Sequence, residues 1–268
     1  MRWLTAIPVY NEVKTVQAVL NEVRRYAPDI LVVNDGSTDG TADLLAKISD
    51  LHVVNHPKNG GYGAALITVF KYMLEHDFDV LITMDCDGQH EPSRIPVLLE
   101  ALTEDVDIVS GSRYLRDFRQ DTPAPTDRRW INRQITEEIN ERYQLNLTDA
   151  FCGFKAYRRR ALEGLRITET SWGMPLQLWV QAVRLGLRIT EVAVPRLYLD
   201  PNRAFGGVLN DADERLAYYR RLLASSEVDP LPALSIRCRC PVGNPVSDDC
   251  KCGRPVLNEC PFPTGSCS

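Results

Sequence analysis

Two carboxylates, Asp85 and Asp87, follow a short apolar run from Val80 to Met84, with Gly88, Gln89 and His90 behind them. A run of that length and composition reads as a buried strand. The abrupt change to small acidic residues makes the strand a rigid mount and the carboxylates its working end. Gly88 lets the backbone bend there. In open α/β sheets, ligands lie beyond the carboxyl ends of the strands. A hard cation such as Mg2+ is held by one or two carboxylates together with a substrate's phosphates. The local expectation is therefore a metal–diphosphate site. An isolated Asp-x-Asp is most often a solvated acidic turn, so the case rests on its neighbours.

Those neighbours are strand ends. Trp3 to Val9 reads as a first strand, ending in Pro8-Val9-Tyr10-Asn11-Glu12, and Val13, Val16, Val19, Leu20 and Val23 then recur at helical spacing up to Pro28. Ile30 to Val33 is a second strand, followed by Asn34-Asp35-Gly36-Ser37-Thr38-Asp39, where Ser37 or Thr38 is placed to cap a helix from Thr41 to Ile48. Leu51 to Val54 is a third strand. Asn59-Gly60-Gly61-Tyr62-Gly63 is a turn opening a helix from Ala64 to Glu75. In that turn Tyr62 reads as packing, and the glycines give access to the backbone. Pro92 begins the helix after Asp87, and Val106 to Ser110 is a fifth strand ending in Gly111-Ser112-Arg113. Strand and helix alternate, which predicts an α/β fold with a mostly parallel sheet. In such a sheet Tyr10, Glu12, Asp35, Asp85 and Asp87 share one edge.

Further on, Leu115 to Arg128 reads as a mobile loop and Arg129 to Tyr143 as an amphipathic helix. Asp149 to Tyr157 is strand-like, and Arg158 to Arg160 is a helix start with solvated charges. Pro175 to Leu185 is a helix, Leu187 to Val194 is extended, and Asp211 to Leu223 is a last helix. The 268 residues suit one α/β domain with an appendage, 44% apolar and 25% charged. A net charge of −5 gives no sign of a nucleic-acid partner. No signal peptide and no membrane-length apolar run is evident, so a cytoplasmic protein is expected, able to dock at a membrane surface.

Five segments come in one family's order and spacing: Pro8 to Glu12, Asn34 to Asp39, Asn59 to Ala65, Asp85 to His90, and Gly111 to Arg113. The chain resembles glycosyltransferase family 2, in its dolichyl-phosphate mannosyltransferase-like (polyprenyl-phosphate glycosyltransferase) branch. Asp149 to Arg158 is similar to a later motif of that branch. The resemblance spans residues 3–224. It implies a GT-A fold, a nucleotide-sugar donor, Mg2+ or Mn2+, and inversion at the anomeric carbon. By the same resemblance Pro8, Tyr10 and Glu12 contact the nucleoside and Asp35 pairs with the base. Asp85 and Asp87 grip the metal, with Gln89 a donor contact beside them. Arg113 is a phosphate or acceptor contact, and Arg203 belongs to a loop covering the diphosphate. Asp87 and Arg113 are the residues expected to carry catalysis. A polyprenyl phosphate is the implied acceptor, reached by peripheral membrane contact or a membrane partner.

A phosphate acceptor needs no catalytic base, because its second pKa near ~6 leaves it ionised at neutral pH. A hydroxyl acceptor would need one, and Glu169 is the candidate. Trp172 either packs in the core or stacks on a sugar or lipid, and His90 reads as a hydrogen-bonded structural histidine. A nucleotidyltransferase would also use a wound sheet with acidic metal ligands. Its Gly-rich, basic loop after the first strand is missing here. A donor-binding protein without turnover is a third reading, against which Asp85, Asp87 and Arg113 stand. Residues 225–268 form a tail with six of the eight cysteines and seven prolines. Its two Cys-x-Cys pairs, Cys238/Cys240 and Cys250/Cys252, leave disorder first and a Zn2+ site second.

Overall fold

The computed structural model describes residues 1–199 and 205–227. Among these, seven strands form one sheet: β1 (Trp3–Val9), β2 (Ile30–Asn34), β3 (His52–Asn55), β4 (Val80–Thr83), β5 (Ile108–Ser112), β6 (Lys155–Arg158) and β7 (Ile189–Ala193). Their spatial order is β3-β2-β1-β4-β6-β5-β7. β2, β1 and β4 are parallel neighbours, with Thr5 opposite Ile30 and Leu4 opposite Leu81. β6 alone runs against them, antiparallel to both β4 and β5. One rim of the sheet therefore collects the carboxyl ends of β1, β2, β4, β5 and β7 and the entry to β6.

The central strands are buried on both faces, which is why they read as continuous apolar runs. Alternate side chains feed two cores. Leu4, Ala6, Leu31, Val33 and Leu81 pack beneath α3 (Tyr62–Glu75), α5 (Thr126–Tyr143), α6 (Arg159–Gly164), α7 (Met174–Arg184) and α8 (Ala212–Ser226). Ile7, Val9, Val32 and Ile82 pack beneath α1 (Val16–Val23), α2 (Thr41–Leu45) and α4 (Ile95–Ala101). Nine consecutive residues of α7, Met174 to Ala182, are buried. Two of them are polar: Gln177 accepts from the amides of Thr168 and Glu169, and Gln181 from that of Arg166. The segment before α7 is thus tied to the core through side chains.

Several expectations change. Neither Ser37 nor Thr38 caps α2, whose N-cap is Gly40; Asp39 accepts the Thr41 amide instead. β6 begins only at Lys155, so Asp149 to Phe154 is a turn at the rim rather than strand. Arg160 is exposed, as expected, but Arg158 and Arg159 turn their charges onto backbone carbonyls. Arg159 donates to the carbonyls of Met73, Leu74, His76 and Phe78, closing the carboxyl end of α3. Arg158 does the same for Leu102, Thr103 and Val106 after α4, and Arg160 pairs with Asp107. α5 starts at Thr126, inside the expected loop. α8 runs to Ser226, past the expected end at Leu223, because Ser226 is buried and its carbonyl accepts from Arg184. The cysteine pairs of the tail and their Zn2+ reading lie outside the described residues, as does Arg203.

Candidate functional site

The first two rim loops are laced together by backbone amides. Asn11 holds a left-handed conformation (φ 56°), which an asparagine tolerates better than most residues. That turn lets the Asn11 amide donate to Ser37 Oγ (2.9 Å) while its Oδ1 accepts the Thr38 amide (2.8 Å). The Glu12 amide donates to Thr41 Oγ1 and the Val13 amide to Asp39 Oδ2. Tyr10, nearly half exposed, is left facing outward beside this clasp.

Asp35 lies at the end of β2 and is 3% exposed. Its Oδ1 accepts from the Gly60 amide (2.9 Å) and lies 2.6 Å from His56 Nδ1, and its Oδ2 accepts from the Gly61 amide (2.8 Å). The carboxylate expected to read a base thus anchors the glycine-rich turn as well. The turn's glycines answer to a close approach of backbone. A Cβ on Gly61 would lie 2.5 Å from the Thr170 carbonyl oxygen, and one on Gly63 2.2 Å from that of Glu169. The Ala64 amide bonds the same Thr170 carbonyl (3.0 Å).

At the end of β4, Asp87 Oδ1 accepts the Gln89 amide (3.0 Å), a local turn made by Gly88 at φ 76°. The Asp85 amide donates to His90 Nδ1 (2.9 Å), and His90 Nε2 lies 3.8 Å from Asp85 Oδ2. Burial opposes an imidazolium and the Asp85 carboxylate favours it, the balance lying up at about 9. A doubly protonated ring cannot accept the Asp85 amide hydrogen, so the Nδ1 bond holds the ring neutral with its proton on Nε2, against the pull of the Asp85 carboxylate, and protonation would break it. His90 is a hydrogen-bonded support, as its sequence context suggests. Tyr62 stacks on Trp172 (centroids 5.3 Å apart, planes at 11°), and burial and Asp85 push its phenol well up.

Arg113 leaves β5 and meets Asp149, which is fully buried. Nε and Nη2 donate to Oδ2 (2.6 Å) and Oδ1 (2.9 Å), and Nη1 reaches the Tyr198 hydroxyl (3.3 Å). Burial would raise Asp149; the guanidinium and the Asn132 amide outweigh it and hold the carboxyl down at about 2. One edge of the guanidinium is thereby taken, leaving Nη1 to the Tyr198 hydroxyl, which lines the same cavity as Arg113.

Pro8, Tyr10, Glu12, Asp35, Asp85, Asp87, Gln89 and Arg113 all line one cavity of ≈790 Å3. The strand order grades its charge. Asp35 and Glu12 stand over β2 and β1, Asp85 and Asp87 over β4, and Arg113 over β5. Arg128, Asn132, Phe205 and Arg215 also line it and were not singled out from sequence. Arg128 fell in the expected loop, and Arg215 in a helix whose buried face could not be told apart. Both guanidinium carbons lie over the Phe205 ring, at 4.9 and 4.3 Å. Trp172 lines the cavity while bonding the Phe205 carbonyl through Nε1 (2.9 Å). Glu169 is not among the lining residues; its Oε1 accepts from the Ser171 amide and the Tyr218 hydroxyl.

Among the described residues no group of three or more His, Cys, Asp or Glu could hold a metal ion. Two oxygen-donor carboxylates in an open cavity do not make a closed protein cage. They fit Mg2+ or Mn2+, which take one or two carboxylates and complete their shell with phosphates and water.

The family model described as Glycosyl transferase family 2 matches residues 5–166. Undecaprenyl-phosphate mannosyltransferase of Micrococcus luteus is 35% identical over 223 residues, 79% of this chain and 91% of that protein. Polyprenol monophosphomannose synthase of Mycolicibacterium smegmatis is 32% identical over 209 residues, 72% of this chain and 76% of that one. Among solved structures, glucosyl-3-phosphoglycerate synthase from Mycobacterium tuberculosis superposes with a TM-score of 0.65 at 20% identity, covering 85% of this chain and 81% of that one. At that identity the likeness speaks to the fold, a mostly parallel sheet flanked by helices.

Proposed function

From the premise that this chain belongs to glycosyl transferase family 2 and is a glycosyltransferase, we propose that it moves a hexose from a nucleotide-diphosphate sugar to a polyprenyl phosphate. Mannose is the first sugar to try, since both relatives are named for it. The observation that carries the reading is the charge grading of the cavity. Its lining carboxylates, Glu12, Asp35, Asp85 and Asp87, all lie on the loops of β1, β2 and β4, whereas Arg113, Arg128 and Arg215 line the remainder. A hydroxyl acceptor needs a base near it. Among the described residues the basic part of the cavity supplies none, and Glu169 is engaged elsewhere. It supplies guanidinium groups, which suit phosphate oxygens.

In this scheme Pro8, Tyr10, Glu12 and Asp35 seat the nucleoside and Gln89 contacts the donor. Asp85 and Asp87 hold Mg2+ or Mn2+, which when bound neutralises charge on the donor diphosphate. Arg113 and Arg128 orient the acceptor phosphate, one of whose oxygens attacks the anomeric carbon from the side opposite the leaving group. The bond from that carbon to the diphosphate oxygen breaks, and its electron pair stays on the nucleoside diphosphate. The anomeric configuration inverts. No proton moves, because the acceptor is already ionised.

The acceptor would lie at a membrane, and the rim suits one. Leu115 and Trp130 are exposed, with exposed Arg116, Arg129 and Arg133 around them. They flank the residues that send Arg113 and Arg128 inward, and Arg129 lies 3.7 Å over the Tyr114 ring, joining the two segments. No described helix is long and apolar enough to cross a membrane.

The test is sugar transfer from radiolabelled GDP-mannose or UDP-sugars to a polyprenyl phosphate in detergent, read as label extracted into organic solvent. We expect lipid product that is lost with chelator and falls at least ~100-fold in Asp87→Ala, from the charge stabilisation removed. Transfer indifferent to both would refute the site. Transfer to phosphoglyceric acid or a soluble alcohol alone would refute the acceptor class.

A further inference from the structure

We infer that Tyr62 and Gly153 form a brace that fixes the rotamer of Asp85 for metal binding, Tyr62 as hydrogen-bond donor and Gly153 as the seat. The inference rests on Asp85 being a metal ligand, as proposed above, and concerns residues to which no role has been given. The Asp85 carboxylate lies directly against Gly153. A Cβ at that position would stand 2.8 and 3.0 Å from its two oxygens and 2.7 Å from the Tyr62 hydroxyl. Gly153 is not among the glycines with positive φ, so the backbone does not demand glycine there. Space does.

The seat is rigid. The Gly153 carbonyl accepts Thr83 Oγ1 (2.8 Å) inside the sheet, and the next carbonyl, Phe154, accepts the Gly111 amide (2.8 Å). The donor is rigid as well. Tyr62 opens α3 between two glycines pressed on the backbone of Glu169 and Thr170, and its ring is stacked on Trp172. Its hydroxyl and both Asp85 oxygens converge on one corner, all within 3.0 Å of the point a Gly153 Cβ would occupy. A carboxylate has two oxygens, so one can take the phenol and the other the cation. Partners behind a metal ligand fix its orientation, and their loss commonly weakens metal binding 10–100-fold. Without the phenol, Asp85 is free to turn toward His90 Nε2, 3.8 Å from Oδ2.

Tyr62→Phe keeps the ring and its stack and removes only the donor. Tyr157→Phe is the control: it also deletes a buried phenol. Mn2+ binding to the full chain in the presence of GDP or UDP is followed by the electron paramagnetic resonance of free Mn2+. The expected result is an apparent Mn2+ dissociation constant about 10-fold higher in Tyr62→Phe and unchanged in Tyr157→Phe. Gly153→Ala should shift in the same direction as Tyr62→Phe. In activity, raising Mn2+ should restore the wild-type kcat of Tyr62→Phe. Tyr62→Phe binding Mn2+ within about two-fold of wild type, or Tyr157→Phe weakened equally, would overturn the brace while leaving the metal site standing. A wild-type chain that binds no Mn2+ with either nucleotide would remove the metal site and the brace together.

Discussion

Asp149 and Arg113 show what one residue pair does to the site. A buried carboxylate is stable only with its charge answered. Here the answer is the Nε–Nη2 edge of Arg113, a pairing that also fixes where Nη1 meets the Tyr198 hydroxyl. The folded carboxyl is held at about 2 against an ordinary 3.8, so it binds its proton less readily than in the unfolded chain. The stability this contributes is present above about pH 4 and is lost as pH falls through about 2. Its size is about 2–3 kcal/mol, at ~1.4 kcal/mol per pH unit of difference. Urea midpoints of the wild type should therefore fall between pH 5 and pH 3. Asp149→Asn should be destabilised at pH 7 by about 3–5 kcal/mol and lose that part of the acid sensitivity. An unchanged pH slope in the variant would show that the pair is not the source. Arg113 was singled out through the family resemblance, but its partner was not, because Asp149 is 36 positions away in a segment that reads as strand.

At the scale of elements, the rim loops are tied by backbone amides and the helices are closed by arginines. Asn11 links two loops that follow different strands, and Gly61 and Gly63 let the turn before α3 lie on the Thr170 backbone. Arg159 meets four carbonyls at the end of α3, the helix that carries Tyr62 at its other end. Bonds from a charged donor each contribute about 1.5–3 kcal/mol, and several share one guanidinium here. Arg159→Ala should lower thermal stability by about 2–3 kcal/mol and leave KM for the nucleotide sugar unchanged, since Arg159 is not among the residues lining the cavity. A shifted KM at full folding would mean that the cap acts on the site. The alternation of strand and helix was legible because buried strands are short and apolar and helices carry a stripe. The cap on α2 and the roles of Arg158 and Arg159 were misread because capping depends on which groups lie nearby in space.

At the scale of the molecule, the sheet order turns separated loops into one graded cavity. Tyr10, Asp35 and Asp87 share it, as the parallel arrangement of β1, β2 and β4 requires. A site completed by a diphosphate and a cation should bind them together. Mn2+ with GDP or UDP at about 100 times its dissociation constant should stabilise the fold by about 2.7 kcal/mol, and either component alone by much less. Differential scanning fluorimetry reads this as a rise of several degrees; equal shifts with nucleotide alone would argue against a bridging cation.

The order of strands and helices, the glycine-rich turns and the acidic pair at the end of β4 were determined by the sequence itself, because they follow from local apolar periods and backbone needs. The family was legible for the same reason, since its segments are short and contiguous. The partners of those residues were decided by the tertiary structure: Asp149 behind Arg113, Gly60 and Gly61 on Asp35, Tyr62 and Gly153 against Asp85, and Arg128 and Arg215 around Phe205. Burial and charge pairing act through space between residues tens of positions apart. β6, entering the sheet against its neighbours, is what carries the Asp149 to Phe154 turn onto the rim.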